Sequence, residues 1–327
     1  MDVTEAITGA LAAMEAGDFA RAFDDLRPFR AEIRANPALA RATAGALLGL
    51  PILPSDSADI IADALASGDT QLPILARHAV DRMLAEIDGG PDATVEAAYT
   101  RARSLLPEAG EIAYDFGVWL KQKARFEEAL AALLSARASL AEDEAMSWNI
   151  AITATGAGDG RTASEAWKKL GFEVERGIDS LPRIAGLADV SVRLGAGGGT
   201  EDVWVRPQSP VHGVVLTVPR RDDLPAGYAD MILWDAAPIE EVTITGAKKA
   251  HRFPLLARLS AGSARTFPFV AHGDLGAFVR DWPDALWVAP SARRLVLEPE
   301  MTAAEAIAEI ERSRTQHPHV VFEVEIK

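Results

Sequence analysis

The amino-acid sequence predicts two domains, an all-α array of paired helices followed by a β-rich α+β domain. Small residues recur every 34 residues in the first half of the chain, and a period of this length is typical of stacked helix hairpins. After Asp179 the spacing of apolar residues changes from helical to alternating. The length of 327 residues also exceeds the roughly 250–300 residues at which single cores stop growing.

The 34-residue period is clearest in three repeats, 76–109, 110–143 and 144–177. Three aligned columns hold mostly small residues, namely Met83, Gly117 and Ala151; Val95, Ala129 and Ala163; and Ala102, Ala136 and Leu170. A fourth column holds the large residues Tyr99, Leu133 and Trp167. Small residues let two helices approach closely, and the larger column fills the gap to the next hairpin. The pattern therefore predicts nested hairpins, with left-handed turn residues at Gly90 and Gly158.

These residues carry a family resemblance. The elements that resemble the tetratricopeptide-repeat pattern are Asn149-Ile150-Ala151, the turn Gly158-Asp159, and Ala129 and Ala163 followed by Leu133 and Trp167. The resemblance covers residues 76–177, and a weaker copy begins at Gly17-Asp18-Phe19. It implies helix hairpins whose first helices line a concave face, and members of the family are mostly scaffolds or adaptors that hold a partner's peptide there.

The predicted helical domain covers residues 1–178 and includes one interruption. Pro51 and Pro54 break any helix there, because proline lacks a backbone donor and crowds the preceding turn. Residues 57–66 then predict a further helix. Residues 180–182 are the predicted linker to the second domain.

The second domain, 183–327, is predicted to be mostly sheet. Alternating apolar residues between turn residues predict strands at 201–206, 211–218, 231–235, 241–245, 253–260, 266–271 and 319–326. Two helices are predicted, at 274–281 and at 302–315, the second because Thr302 and Glu305 have capping-box spacing.

Charge and composition restrict the partners. The formal net charge is −15, and residues 1–178 carry 28 acidic against 17 basic residues. Nucleic acid is not an expected partner, because its binding depends on lysine and arginine neutralising phosphates. Without cysteine the chain has no disulfide or thiolate metal site. The N-terminus lacks a basic signal region and no stretch is apolar enough for a membrane span, so we expect no membrane association and a cytoplasmic protein.

The predicted partner-binding groove lies on the first helices of the repeats. Its residues are Arg77, Asp81, Tyr114, Asp115, Lys121, Trp148 and Asn149. Tyr114 and Trp148 share one column and are candidate anchors, since aromatic side chains bury much area at little entropic cost. Some tetratricopeptide proteins clamp a carboxyl terminus, but here Asp81 and Asp115 stand where that mode needs cations. A partner segment with lysine or arginine suits the groove better.

A metal site in the second domain is a weaker hypothesis. His272-Gly273-Asp274 has the His-x-Asp spacing of 2-His-1-carboxylate iron enzymes. The only later histidines are His317 and His319, and the arginine that such enzymes usually have beyond the distal histidine is absent. The alternative is that Asp274 caps the following helix. Ser209 and nearby His212 lack any nucleophile motif. The sequence requires no cofactor.

The sequence therefore predicts an adaptor or scaffold that binds another polypeptide. The rival hypothesis is an enzyme or metal-dependent module in the second domain, to which the array delivers a peptide or protein substrate. In a third hypothesis, the chain's own second domain fills the groove. The second domain is otherwise expected to recognise more of the partner, to cover one end of the array, or to form a homodimer through an exposed edge strand.

Overall fold

A computed structural model describes residues 1–87, 89–141, 143–175, 181–195, 199–244 and 248–326. Helices occupy the first half of the chain, and the second half is a β-rich α+β part, as predicted. By its internal contacts the chain divides into two compact units. Unit 1 contains Met1–Gly117 and Ala132–Ala141, and unit 2 contains Val118–Ala131 and Glu142–Lys327. The predicted linker at 180–182 includes residue 180, which lies outside the described residues.

The helical part consists of short helices joined by tight turns. They are α1 (Val3–Glu15), α2 (Phe19–Leu26), a 3₁₀ helix (Arg27–Ala35), α3 (Pro37–Gly49), α4 (Ser57–Leu65), α5 (Leu72–Ile87), α6 (Asp92–Leu105), α7 (Gly110–Gln122), α8 (Phe126–Ser139), α9 (Glu144–Gly156) and α10 (Gly160–Lys169). None of the helices in the described residues is both long and apolar enough to cross a membrane.

The helix bounds follow the 34-residue period. Helices α6, α8 and α10 begin at Asp92, Phe126 and Gly160, and α7 and α9 begin at Gly110 and Glu144, so each interval is 34 residues. Helices α6 to α10 thus have the 34-residue spacing, whereas α5 begins at Leu72, 38 residues before α7.

The small residues of the repeat are buried, as nested hairpins require. Ala129, Ala151 and Ala163 have no exposed surface, and Gly117 is also buried. At Gly156, a Cβ atom would lie 2.4 Å from the Phe126 ring, which shows how closely α9 approaches the start of α8. Close approach at small residues is therefore the physical basis of this packing.

The predicted turn residues are only partly correct. Gly158 has a φ of 76°, and Ala124, one repeat earlier, has a φ of 56°. In the turn between α5 and α6 the left-handed residue is Gly89, with a φ of 72°, rather than the predicted Gly90. The turn is thus displaced by one residue from the sequence alignment of the repeats.

Five strands of unit 2 form a closed barrel. They are β1 (Val190–Leu194), β2 (Glu201–Ser209), β3 (His212–Val215), β4 (Met231–Trp234) and β6 (Lys248–Ser260), in the order β1-β2-β3-β4-β6, and β5 (Glu240–Ile244) pairs with the first part of β6. Five strands cannot alternate in direction all the way around a ring. The closing pair, β1 with β6, is accordingly parallel, whereas the other barrel pairs are antiparallel.

Apolar side chains fill the barrel and charged side chains bind across its closing seam. The interior includes Val192, Val205, Ile232 and Trp234, each with no exposed surface. Outside, four residues form alternating ion pairs: Arg193 with Asp202 at 3.1 Å and with Glu240 at 2.9 Å, and Arg252 with Asp202 at 2.5 Å and with Glu240.

The C-terminal part of unit 2, from Arg265 onward, is an antiparallel sheet with two helices on one face. Its strands are β7 (Arg265–His272), β8 (Leu286–Ala289), β9 (Arg294–Leu297) and β10 (Val321–Val324), in the order β10-β7-β9-β8. Helices α11 (Leu275–Val279) and α12 (Ala303–Gln316) pack against it. The Phe322 ring of β10 stacks on Phe269 of β7 and on Phe278 of α11.

Candidate functional site

Four charged side chains meet on the first helices of two neighbouring repeats in unit 1. Arg77 of α5 donates from Nε to Asp81 Oδ1 at 2.7 Å and from Nη1 to Glu111 Oε2 of α7 at 2.9 Å. Asp115 of α7 is exposed and belongs to the same electrostatic cluster. We call Arg77, Asp81, Glu111 and Asp115 the acidic patch, since it carries three carboxylates and one guanidinium.

The Asp115 carboxylate is poorly stabilised in this cluster. Partial burial raises its pKa above the ordinary value, the positive charge of Arg77 lowers it, and the negative charges of Asp81 and Glu111 raise it further. Arg77 already donates from Nε to Asp81 and from Nη1 to Glu111. The patch is therefore short of positive charge.

The predicted groove residue Tyr114 lies beside the acidic patch in sequence and is half-buried on α7. Close to it along α7, the Phe116 ring stacks on Tyr99 with centroids 5.2 Å apart, and the Arg103 guanidinium lies 5.5 Å from the Phe116 ring centroid. Phe116 is buried, so this stack belongs to the packing of unit 1 beneath the charged residues of α7.

Lys121 does not belong to an exposed groove, and this corrects the sequence-based assignment. Its side chain is buried, and its ammonium forms a 2.7 Å ion pair with Asp235, which directly follows β4. The same ammonium donates to Asn149 Oδ1 of α9 at 2.9 Å. Burying a lysine requires such a carboxylate partner. Lys121 and Asn149 therefore form contacts within the chain itself.

Trp148 takes part in an aromatic cluster within its own hairpin. Its ring meets Trp167 edge to face at 5.0 Å and Phe172 at 6.0 Å, and Trp167 meets Phe172 at 5.5 Å. Its Nε1 atom donates to Glu144 at 3.3 Å. The half-buried ring of Trp148 thus joins α9 to α10 and the residues that follow them.

Of the candidate metal ligands in unit 2, Asp274 has a structural role and the two histidines lie at the surface. Asp274 accepts a 3.0 Å hydrogen bond from the Ala277 amide and caps α11, while His272 and His319 are exposed. Among the described residues, no group of three or more histidine, aspartate or glutamate side chains could hold a metal ion.

Ser209 and His212 form a buried pair that the sequence analysis set aside. Ser209 Oγ lies 2.6 Å from His212 Nδ1, and neither residue has exposed surface. The Val211 amide donates to Ser209 Oγ at 3.3 Å. Among the described residues, His212 Nε2 has no hydrogen-bond partner. Burial first, and then the charge of Arg183, lower the pKa of His212 to about 4. A substrate has no access to this pair.

Comparison with known proteins adds no assignment. No family model, curated protein or solved structure matches this chain. The candidate site therefore rests on the geometry of the acidic patch.

Proposed function

We propose that the helix hairpins form a tetratricopeptide-like array that binds a basic segment of another polypeptide at the acidic patch, and that the protein acts as an adaptor or scaffold. The observation that carries the proposal is the charge balance of the patch. Three carboxylates share the guanidinium of Arg77, and the pKa of Asp115 is raised, first by burial and then by the negative charges of Asp81 and Glu111. A lysine or arginine of a partner supplies the missing cation.

The repeat supports this location for the surface. Arg77 and Glu111 are one repeat apart, and so are Asp81 and Asp115. Equivalent positions on successive first helices therefore carry the charges, and the family resemblance implies that partner peptides bind to these helices. The proposed surface retains Arg77, Asp81, Tyr114 and Asp115 from the predicted groove and leaves out Lys121, Trp148 and Asn149.

Electrostatic attraction gives such a surface a role in recognition. Opposite charges at the rim of an interface accelerate encounter and select partners more than they add affinity, and salt screens them. With a net charge of −15, the chain also attracts cations without regard to the acidic patch. A test must therefore separate the acidic patch from the general charge.

The experiment measures binding of a fluorescent peptide of alternating lysine and alanine to the full chain by fluorescence anisotropy. We expect the double variant Asp81→Asn, Asp115→Asn to raise the Kd about tenfold, corresponding to about 1.4 kcal/mol. The matched control is Asp24→Asn, Glu32→Gln, which removes the same charge from exposed residues of unit 1. It should change the Kd less than twofold.

Equal weakening by the two double variants would show that only net charge matters and would refute the acidic patch. Failure of the wild-type chain to bind the basic peptide more tightly than a glutamate-alanine peptide would refute the proposed partner chemistry.

A further inference from the structure

A polar cavity of about 230 Å³ lies in unit 2, beneath the loop that joins β3 to β4. Five charged side chains line it, namely Arg221, Asp222, Asp230, Arg258 and Arg294. We call it the arginine cavity. Arg221 is held by a carboxylate beside the cavity, because it donates from Nε at 2.9 Å and from Nη2 at 2.5 Å to Asp223. Arg258 and Arg294 are therefore the lining cations to consider for a ligand.

The carboxylate of Asp230 is already satisfied by main-chain donors. Its Oδ2 accepts from the Gly227 amide at 2.8 Å and its Oδ1 from the Gly262 amide at 2.7 Å. Arg258 Nη1 lies 3.5 Å from Oδ2, beyond the usual 2.7–3.2 Å of a good hydrogen bond. Since the Arg258 side chain is half exposed, its guanidinium is positioned to bind a further anion.

Arg294 presents the complementary case of a buried cation with an exposed partner. Its guanidinium donates to the Arg220 carbonyl at 3.2 Å and forms a 2.5 Å ion pair with Asp222. The Arg294 side chain is 7% exposed, whereas that of Asp222 is 79% exposed. An external oxyanion can replace Asp222 at this cation, because the displaced carboxylate becomes hydrated and leaves no buried group unpaired.

The walls of the cavity are built before any ligand arrives. Tyr228 donates to Glu298 at 2.9 Å, and its ring meets Trp287 edge to face at 5.4 Å. A Cβ atom at Gly262 would lie 2.6 Å from the Ala229 carbonyl carbon, so the loop after β6 is closely apposed to the loop before β4. A preformed site loses little conformational entropy on binding.

We propose that the arginine cavity binds a small oxyanion, the carboxylate or phosphate group of a small molecule. Guanidinium groups match such anions with paired N–H donors. The cavity is smaller than the roughly 300–1,000 Å³ of pockets that enclose drug-sized ligands, so it holds one anionic group rather than a large molecule. Arg258 and Arg294 bind the anion, and Asp222 competes with it.

Calorimetric titration of the full chain with inorganic phosphate and with acetate, at constant ionic strength set by chloride, tests this site. We expect Arg258→Gln to weaken binding about tenfold and Asp222→Asn to strengthen it about threefold. Strengthening is the sharper result, since loss of a merely structural ion pair would not improve affinity. The relative affinities of phosphate and acetate identify which of the two groups the cavity prefers.

The matched control is Arg161→Gln, which removes an exposed arginine that is paired with Glu165, and it should leave both affinities unchanged. Circular dichroism verifies that the half-exposed Arg258 variant is folded. The proposal is overturned if the wild-type chain binds neither anion, if Arg258→Gln binds as tightly as wild type, or if Asp222→Asn does not bind more tightly.

Discussion

Equivalent positions of the helical repeat have different environments in the two compact units. In unit 1, Asp81 and Asp115 stand on exposed surface beside a single arginine. One repeat later, in unit 2, the equivalent residue is Asn149, which accepts a hydrogen bond from the buried Lys121. The period therefore determines which positions share a helix face, while residues far away in sequence determine whether that face remains open.

The largest effect is expected from breaking the buried ion pair of unit 2. Asp235→Ala leaves the Lys121 ammonium buried without a carboxylate, and removal of one member of a buried pair typically costs about 3–5 kcal/mol. We expect a loss of about 3 kcal/mol in the free energy of unfolding, measured by urea denaturation.

The matched control is the double variant Lys121→Met, Asp235→Leu, which replaces both charges by apolar groups. It should recover most of the lost stability, because apolar replacement of a buried pair is often neutral. A loss below about 1 kcal/mol for Asp235→Ala would mean that water reaches the Lys121 ammonium.

A smaller effect is expected from the buried histidine of unit 2. The folded pKa of His212 is about 4, below the unfolded value of 6.5, so only the unfolded chain gains this proton between those pH values. Stability is complete above pH 6.5 and falls by up to about 3 kcal/mol as the pH decreases to 4.

Urea denaturation across this pH range compares the wild type with His212→Asn, which retains an acceptor for Ser209. The variant should lose this part of the pH dependence, whereas His251→Gln, at an exposed histidine, should keep it. Identical pH profiles for wild type and His212→Asn would contradict the assignment.

The smallest effect on stability is expected in the acidic patch. Because the pKa of Asp115 is raised in the folded chain, the ionised carboxylate lowers the stability of the folded state relative to the unfolded state at neutral pH. Asp115→Asn should therefore leave thermal stability at pH 7 unchanged or raise it, by less than about 0.5 kcal/mol. A clear loss of stability would assign Asp115 a structural role and weaken the proposed binding surface.

Sequence reasoning succeeded where contacts are local and periodic. The starts of α7 and α9 at Gly110 and Glu144 agree with the predicted repeats, and each of the seven predicted strands has a counterpart in unit 2. Three strands were missed, β1, β8 and β9. The alternation of Val190, Val192 and Leu194 would have revealed β1, whereas β9 is buried on both faces and β8 has only four residues, so neither alternates clearly.

Contacts between distant residues could not be predicted from one sequence. Nothing near Lys121 indicates that Asp235 will neutralise it, and no local pattern announces that β1 will meet β6 in parallel. The candidate site shows the same division. Repeat phase indicated Arg77, Asp81 and Asp115, but the involvement of Glu111 depends on how close α7 lies to α5.

The parallel seam of the barrel imposes an order on synthesis. Because Ser191 pairs with Arg252, the ring cannot close until about sixty further residues have left the ribosome. Helices such as α9 and α10, whose partners are adjacent in the chain, can assemble long before that moment. Until β6 emerges, β1 offers unpaired backbone groups to other chains, and this interval is when the nascent protein most needs protection from aggregation.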